Sequence, residues 1–183
     1  LAIMASFYAV YHGPQGIKDI ASRIHDLAQL LDQAVQQLGY TQLNKNYFDT
    51  VRFELGGEVA GLKSEALNNE MNFHYVGSVV GISIDESTTY EDILTIVKVF
   101  AKVKAKNIAD VDFESIESSL TSALPADLVR TSDYLTHPIF NSYHSEHEML
   151  RYIKSLEAKD LSLCHSMIPL GSCTMKLNAT AEM

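Results

Sequence analysis

The chain has 183 residues, enough for one domain or one domain plus a tail, and its 46% hydrophobic content is ample for a core. Its 14 basic and 23 acidic residues leave a net charge of -9. That balance argues against nucleic acid or an anionic membrane surface as partner, since both call for a basic footprint. A carrier protein with a basic or neutral patch stays compatible.

Leu1 to Tyr11 is an apolar run with no basic flank. It falls well short of the roughly 20 residues that span a bilayer, so it reads as a buried helix whose beginning was removed. His12-Gly13-Pro14 breaks it. Pro14 suits the first turn of a new helix, where its missing N–H is not needed. Ile17, Ile20, Ala21, Ile24, Leu27, Leu31, Val35 and Leu38 then recur at three- and four-residue steps, and Gly39 follows as a C-terminal cap. The spacing predicts one amphipathic helix from Pro14 to Leu38, about 37 Å long at about 1.5 Å per residue.

Three strands are expected next, at Tyr47–Leu55, Met71–Val76 and Val80–Ile84, with Gly77-Ser78 as a tight hairpin turn between the last two. Phe48, Val51 and Phe53 do not alternate cleanly, which suggests a bulge or a strand buried on both faces. Val59 to Asn68 suits a short helix. Thr88-Thr-Tyr-Glu91 has capping-box spacing, ahead of a helix striped by Ile93, Ile96, Val97 and Phe100. From Lys104 to Leu128 the pattern fades, with a short helix at Ser115 to Leu124 closed by Pro125. Ser145-Glu-His-Glu148 is a second capping box, opening a helix to about Leu161 with Leu150, Ile153 and Leu156 on one side.

Two cysteines, Cys164 and Cys173, are fewer than a disulfide framework normally shows and fit a reducing interior. His137, His144 and His147 stand near Glu146 and Glu148, but His-Ser-Glu-His-Glu matches no zinc motif, and Glu148 already serves the capping box. No metal is expected. Asp85-Glu-Ser-Thr-Thr89 reads as a strand end feeding a helix N-terminus, where negative charge is favoured. His12-Gly-Pro-Gln-Gly16 could cradle an anion or merely turn a corner, and the corner is preferred.

Ser166-Met-Ile-Pro-Leu-Gly-Ser-Cys-Thr-Met-Lys-Leu-Asn178 has neither a strand's period nor a sustained helical face. Ser172, Cys173, Thr174 and Lys176 crowd polar and reactive groups into five positions, as in a ligand-facing loop. The hydroxyls could hold a carboxylate or phosphate, with Lys176 adding charge. Cys173 has no base placed beside it by sequence, so a pocket-facing thiol is preferred to a nucleophile. The start at Leu1 and the stop at Met183 give the expectation of a piece cut from something larger.

That segment and Tyr134-Leu-Thr-His-Pro-Ile-Phe-Asn-Ser-Tyr-His-Ser-Glu146 resemble the glycine cleavage system P-protein family. Met4-Ala-Ser-Phe-Tyr-Ala-Val-Tyr-His-Gly-Pro-Gln-Gly16 and Gly81-Ile-Ser-Ile-Asp-Glu-Ser-Thr-Thr89 match the same family in the same order. The resemblance covers nearly the whole chain and weakens between about Lys104 and Leu128.

It implies an α+β fold, the small domain of a type I aminotransferase-like enzyme of pyridoxal phosphate: a long helix and a three-stranded, mainly antiparallel sheet with helices. On this reading residues 1–12 end a preceding large domain and 13–103 form the small domain. Residues 104–133 are a linker, and 134–183 begin the second half of the enzyme as a partly helical segment. The implied activity is that of glycine dehydrogenase (decarboxylating), an oxidoreductase that decarboxylates glycine and passes the aminomethyl group to the lipoyl arm of H-protein. The family's cofactor lysine lies further along, so no catalytic residue is expected here. Lys176 would be an accessory cation, and the piece alone inactive. Ser172, Cys173, Thr174, Lys176, His137, Asn141 and His144 are the pocket candidates, with Thr136 beside them. Implied partners are H-protein and the other P-protein half or subunit, in a bacterial cytoplasm or a mitochondrial matrix. Two readings outside the resemblance stay open: a non-catalytic ligand-binding or dimerisation module over residues 40–103, and a hydrolase using the histidines with a metal.

Overall fold

The computed structural model describes residues 1–120, 124–125 and 127–160. Cys164 and the segment with Ser172, Cys173, Thr174 and Lys176 lie outside them. The chain forms two compact units, one of Lys18–Ser132 and one joining Leu1–Ile17 to Asp133–Met183. The architecture is α+β, as expected.

Helix α1 (Ala2–Gln37) is two helices met at a kink, where Gly13 has φ 65 and ψ -178 ahead of Pro14. Pro14 cannot donate to the preceding turn, so the break falls where the sequence placed it. The far end closes as a Schellman motif. Gly39 has φ 90, its N–H donates to the Gln36 carbonyl at 2.8 Å, and Tyr40 N–H donates to that of Val35 at 3.4 Å.

Among the described residues of Lys18–Ser132 the sheet has four strands, not three: β1 (Thr41–Gln42), β2 (Thr50–Glu54), β3 (His74–Val76) and β4 (Val79–Ser83), all antiparallel in the order β1-β2-β4-β3. The extra strand is β1, whose Thr41 and Gln42 pair with Glu54 and Phe53. Two residues are too short to show a period. The expected strand Tyr47–Leu55 shrinks to β2, and its unclean alternation disappears with the shrinkage. Val51 and Phe53 are buried and Arg52 exposed, so there is neither a bulge nor two-sided burial. Phe48 lies outside the strand and stacks on His25, with centroids 5.4 Å apart. Gly77, at φ 59, is the first of the two residues joining β3 to β4. Positive φ at that position alone is the II′ pattern.

Helices α2 (Val59–Asn68) and α3 (Tyr90–Val103) cover the sheet together with α1. Leu31 and Val35 of α1, Leu62 of α2, Ile93 and Phe100 of α3, and Val51, Phe53 and Val80 of the sheet form the fully buried core. Phe100 meets Phe53 edge-on at 5.7 Å and Tyr40 edge-on at 5.0 Å. Each such ring buried contributes about 1.5–3 kcal/mol of transfer free energy.

The cap of α3 lies one residue later than expected. Thr89 and Asp92 form the capping box, not Thr88 and Glu91. Thr88 is otherwise engaged, since its N–H and hydroxyl both donate to Asp85 Oδ1 at 3.1 Å. Ser87 N–H and hydroxyl donate to the same oxygen at 2.9 and 2.7 Å, and these bonds hold the Asp85 carboxyl below the usual range. Asp85 is therefore a turn-former leading into a helix, as read.

Helix α4 (Phe113–Ser119) starts before the expected Ser115 because Asp112 caps it, accepting from Ser115 N–H at 3.0 Å. Its Ile116, and Val111 before it, are buried in the same core. The stretch expected as linker is thus partly core, its contribution confined to isolated residues that show no periodicity.

In the other unit, helix α5 (Glu146–Glu157) carries the expected box between Ser145 and Glu148. It ends at Glu157, short of Leu161. Its apolar side is not packed: Leu150 is 66% and Ile153 41% exposed. Among the described residues of this unit only Val10 and Gly13 are buried. No helix among the described residues is long and apolar enough to cross a membrane.

Candidate functional site at the Gly13 turn

The two motif segments Met4–Gly16 and Tyr134–Glu146 meet at the break in α1. Pro14 removes an N–H from the helix, and a turn so interrupted leaves carbonyls in need of donors. The later segment supplies them. His144 Nδ1 lies 2.8 Å from the Tyr11 carbonyl, and the Tyr134 hydroxyl donates to the Pro14 carbonyl at 2.5 Å. A carbonyl only accepts, so Nδ1 of His144 carries the proton and Nε2 is left as an acceptor.

Gly13 is required on two counts. Its backbone lies in a region essentially reserved for glycine. A Cβ there would also stand 2.7 Å from the Phe140 carbonyl oxygen and 2.8 Å from His144 Cε1. A carbonyl oxygen at that position repels an anion, so His12–Gly16 is a packed corner and not a phosphate cradle.

The loop across the turn is itself tied down. Leu135 takes a positive φ of 50, and Asn141 Nδ2 donates at 3.2 Å to both the Leu135 and the His137 carbonyls. Pro138–Asn141 makes one 3-10 turn, capped by His137, whose Nδ1 accepts from Ile139 N–H at 3.2 Å. His137 therefore holds its own proton on Nε2 when neutral. Tyr143 stacks on Tyr152 of α5 at 4.6 Å, and Phe7 meets Tyr152 edge-on at 6.1 Å.

Of the sequence-derived candidates, His144 is at the turn, and Asn141 and His137 shape the loop that faces it. Ser172, Cys173, Thr174 and Lys176 are outside the described residues. His147 lies within α5, and among the described residues no three His, Cys, Asp or Glu side chains are grouped to hold a metal. Sequence reading missed Tyr134 and the demand that Gly13 places on its neighbours. The available signal was Pro14, which obliges some other group to satisfy the interrupted turn.

Comparison with known proteins gives this arrangement its family. The model of the glycine cleavage system P-protein family matches residues 1–100. The glycine dehydrogenase (decarboxylating) of Paraburkholderia xenovorans (strain LB400) is 52% identical over 100% of this chain, which covers 19% of that relative. The enzymes of the same name from Cupriavidus metallidurans (strain ATCC 43123 / DSM 2839 / NBRC 102507 / CH34) and Paraburkholderia phytofirmans (strain DSM 17436 / LMG 22146 / PsJN) are 49% and 51% identical, again over 100% of this chain and over 18% and 19% of their own lengths. The chain belongs to the glycine cleavage system P-protein family. It spans about one fifth of the length of the curated relatives it matches.

Proposed function

We propose that this chain serves as part of a glycine dehydrogenase (decarboxylating) that releases carbon dioxide from glycine and hands the aminomethyl group to a lipoylated H-protein. The observation that carries this reading is identity of 52% sustained over the entire chain, since similarity confined to one motif would leave function open. In a bacterial cell the enzyme works in the cytoplasm, and in a eukaryotic one in the mitochondrial matrix. The other P-protein half or subunit supplies what one fifth of the length lacks.

When bound, pyridoxal phosphate supplies a ring that stores the electron pair left as a bond to the α-carbon breaks. None of the side chains that meet at the Gly13 turn is a lysine, and its space is filled by Phe140 and His144. These residues do not by themselves fit the cofactor, and no step is assigned to them through it. Their part is positioning. His144, Asn141 and His137 hold the loop across the Gly13 turn. Ser172, Cys173, Thr174 and Lys176, outside the described residues, are the proposed pocket residues, with Lys176 as an accessory cation.

The test is borohydride reduction of the 183-residue chain with pyridoxal phosphate, followed by peptide mass spectrometry. No stoichiometric adduct is expected, and the chain alone exchanges no labelled bicarbonate into glycine with H-protein present. Stoichiometric labelling at Lys176, or exchange by the chain alone, overturns the division of labour proposed here.

A further inference from the structure

Inside Lys18–Ser132 a cleft of about 340 Å³ opens beside the middle of α1, with His25, Asp32, Gln33, Lys45 and Tyr47 in its lining. Two of these are unusual. At 6% and 7% exposure, His25 and Asp32 are the buried polar or charged residues among those described. Burying a carboxylate at the edge of an otherwise apolar core costs free energy unless something compensates it.

Both side chains are fixed in orientation. His25 Nδ1 lies 2.7 Å from the Phe48 carbonyl, so Nδ1 carries the hydrogen and Nε2 is the acceptor. The ring is held flat on Phe48, 5° from parallel. Asp32 accepts from the Tyr47 hydroxyl at 2.7 Å on Oδ2 and from Gln36 Nε2 at 2.8 Å on Oδ1. Each carboxylate oxygen keeps a second lone pair. Desolvation, opposed by these two bonds, pushes the Asp32 carboxyl up from its ordinary value. The protein's own donors therefore leave the charge under-compensated.

The rim has the opposite sign. Lys45 is exposed and takes part in none of the ion pairs among the described residues. The cleft thus offers oriented acceptors in its wall and a cation at its mouth. Its volume is near the lower end of the roughly 300–1,000 Å³ typical of ligand pockets, which suits a compact molecule. A metal ion is the poorer occupant. One imidazole and one carboxylate fall short of the usual ligand set, and no larger group exists among the described residues.

We propose that this cleft binds a small zwitterion of the amino-acid class, its ammonium group donating to Asp32 and its carboxylate meeting Lys45, with the His25 ring in the lining beside it. The site lies in the unit that does not contain the Gly13 turn, and it stands or falls separately from the decarboxylase reading. Its role is regulatory or stabilising, because ligand binding to the folded form alone raises stability by mass action.

Calorimetric titration of the full chain with glycine, L-alanine and L-serine, set against acetate and methylammonium, tests it. Resonances of the His25 ring followed by NMR give a site-specific readout. The amino acids are expected to bind and shift the His25 ring at concentrations where neither half-molecule does. Lys45→Ala, at an exposed position outside the core, should weaken binding about tenfold, as for one charge-assisted hydrogen bond. Asp32→Asn should abolish it. No heat and no ring shift with any amino acid overturns the proposal. So does acetate binding as tightly as the amino acids, or affinity unchanged in Lys45→Ala.

Discussion

The two units solve the burial problem in opposite ways. Lys18–Ser132 closes on itself, with α1, α2, α3 and four strands around one apolar core. The described part of the other unit buries little more than Val10 and Gly13 and leaves Leu150 and Ile153 of an amphipathic helix in the open. The first is held by hydrophobic burial. The second is held by hydrogen bonds to an interrupted helical turn and by a few ring contacts. Motif density and core density therefore do not coincide. Two of the motif segments, Met4–Gly16 and Tyr134–Glu146, lie in the thinly packed unit, and a third, Gly81–Thr89, lies in the dense one.

The sharpest way to break this contrast is at the core. Phe100→Ala removes the ring shared by Tyr40 and Phe53, and a loss of about 3–5 kcal/mol is expected in urea unfolding. Amides of α5 should keep their exchange rates. If they lose protection in step, the two units are one cooperative body.

Gly13→Ala comes next, at about 1–3 kcal/mol for backbone strain, with further cost from the clash with Phe140. Hydrogen exchange should quicken in residues 134–146 and leave β2 and β4 unchanged.

A matched pair of caps sharpens the comparison further. Thr89→Ala and Ser145→Ala remove the same motif from α3 and α5, each worth about 1 kcal/mol to its helix. Only the first should lower the global unfolding midpoint, because α3 is anchored in the core and α5 frays locally. Equal effects on the midpoint would show that α5 is integral to the cooperative fold.

The smallest effect is the response to acid. Asp85 and Asp92 sit below their ordinary value of 3.8 through bonds from Ser87 and Thr88 and from Thr89, respectively. Groups with depressed folded values stabilise above the unfolded value and lose that contribution as pH falls through the folded one. Asp32 is shifted the other way, so its ionisation opposes folding as pH rises. Denaturation midpoints should fall as pH drops through about 4, the unfolded range, and on through the lower folded values. Asp85→Asn should flatten that fall, and Asp32→Asn should not.

Much of the fold was legible because it is written in repeats. The three-four spacing of Ile24, Leu27, Leu31 and Val35, the glycine after Leu38 and the Ser145–Glu148 box each have one physical solution. Where reading slipped, the cause was competition or brevity. Asp85 took Thr88 away from the cap of α3, β1 was too short to alternate, and Val111 and Ile116 reach the core singly. The site was legible only as segments. That Met4–Gly16 and Tyr134–Glu146 would touch depends on the fold bringing distant parts of the chain together. The buried pair His25 and Asp32 stands at three- and four-residue steps from Ala28 and Val35, but a stripe traced through apolar residues alone passes over both.

The unit containing the Gly13 turn is assembled from two separate stretches of chain, with Lys18–Ser132 inserted between them. During synthesis its first stretch emerges long before the second, and the turn waits unsatisfied while roughly 115 residues are added. The inserted unit carries its own apolar core, so its burial does not wait for the second stretch. Order of assembly is thus built into the connectivity: Tyr134 and His144 reach the Gly13 turn only after Lys18–Ser132 has been made.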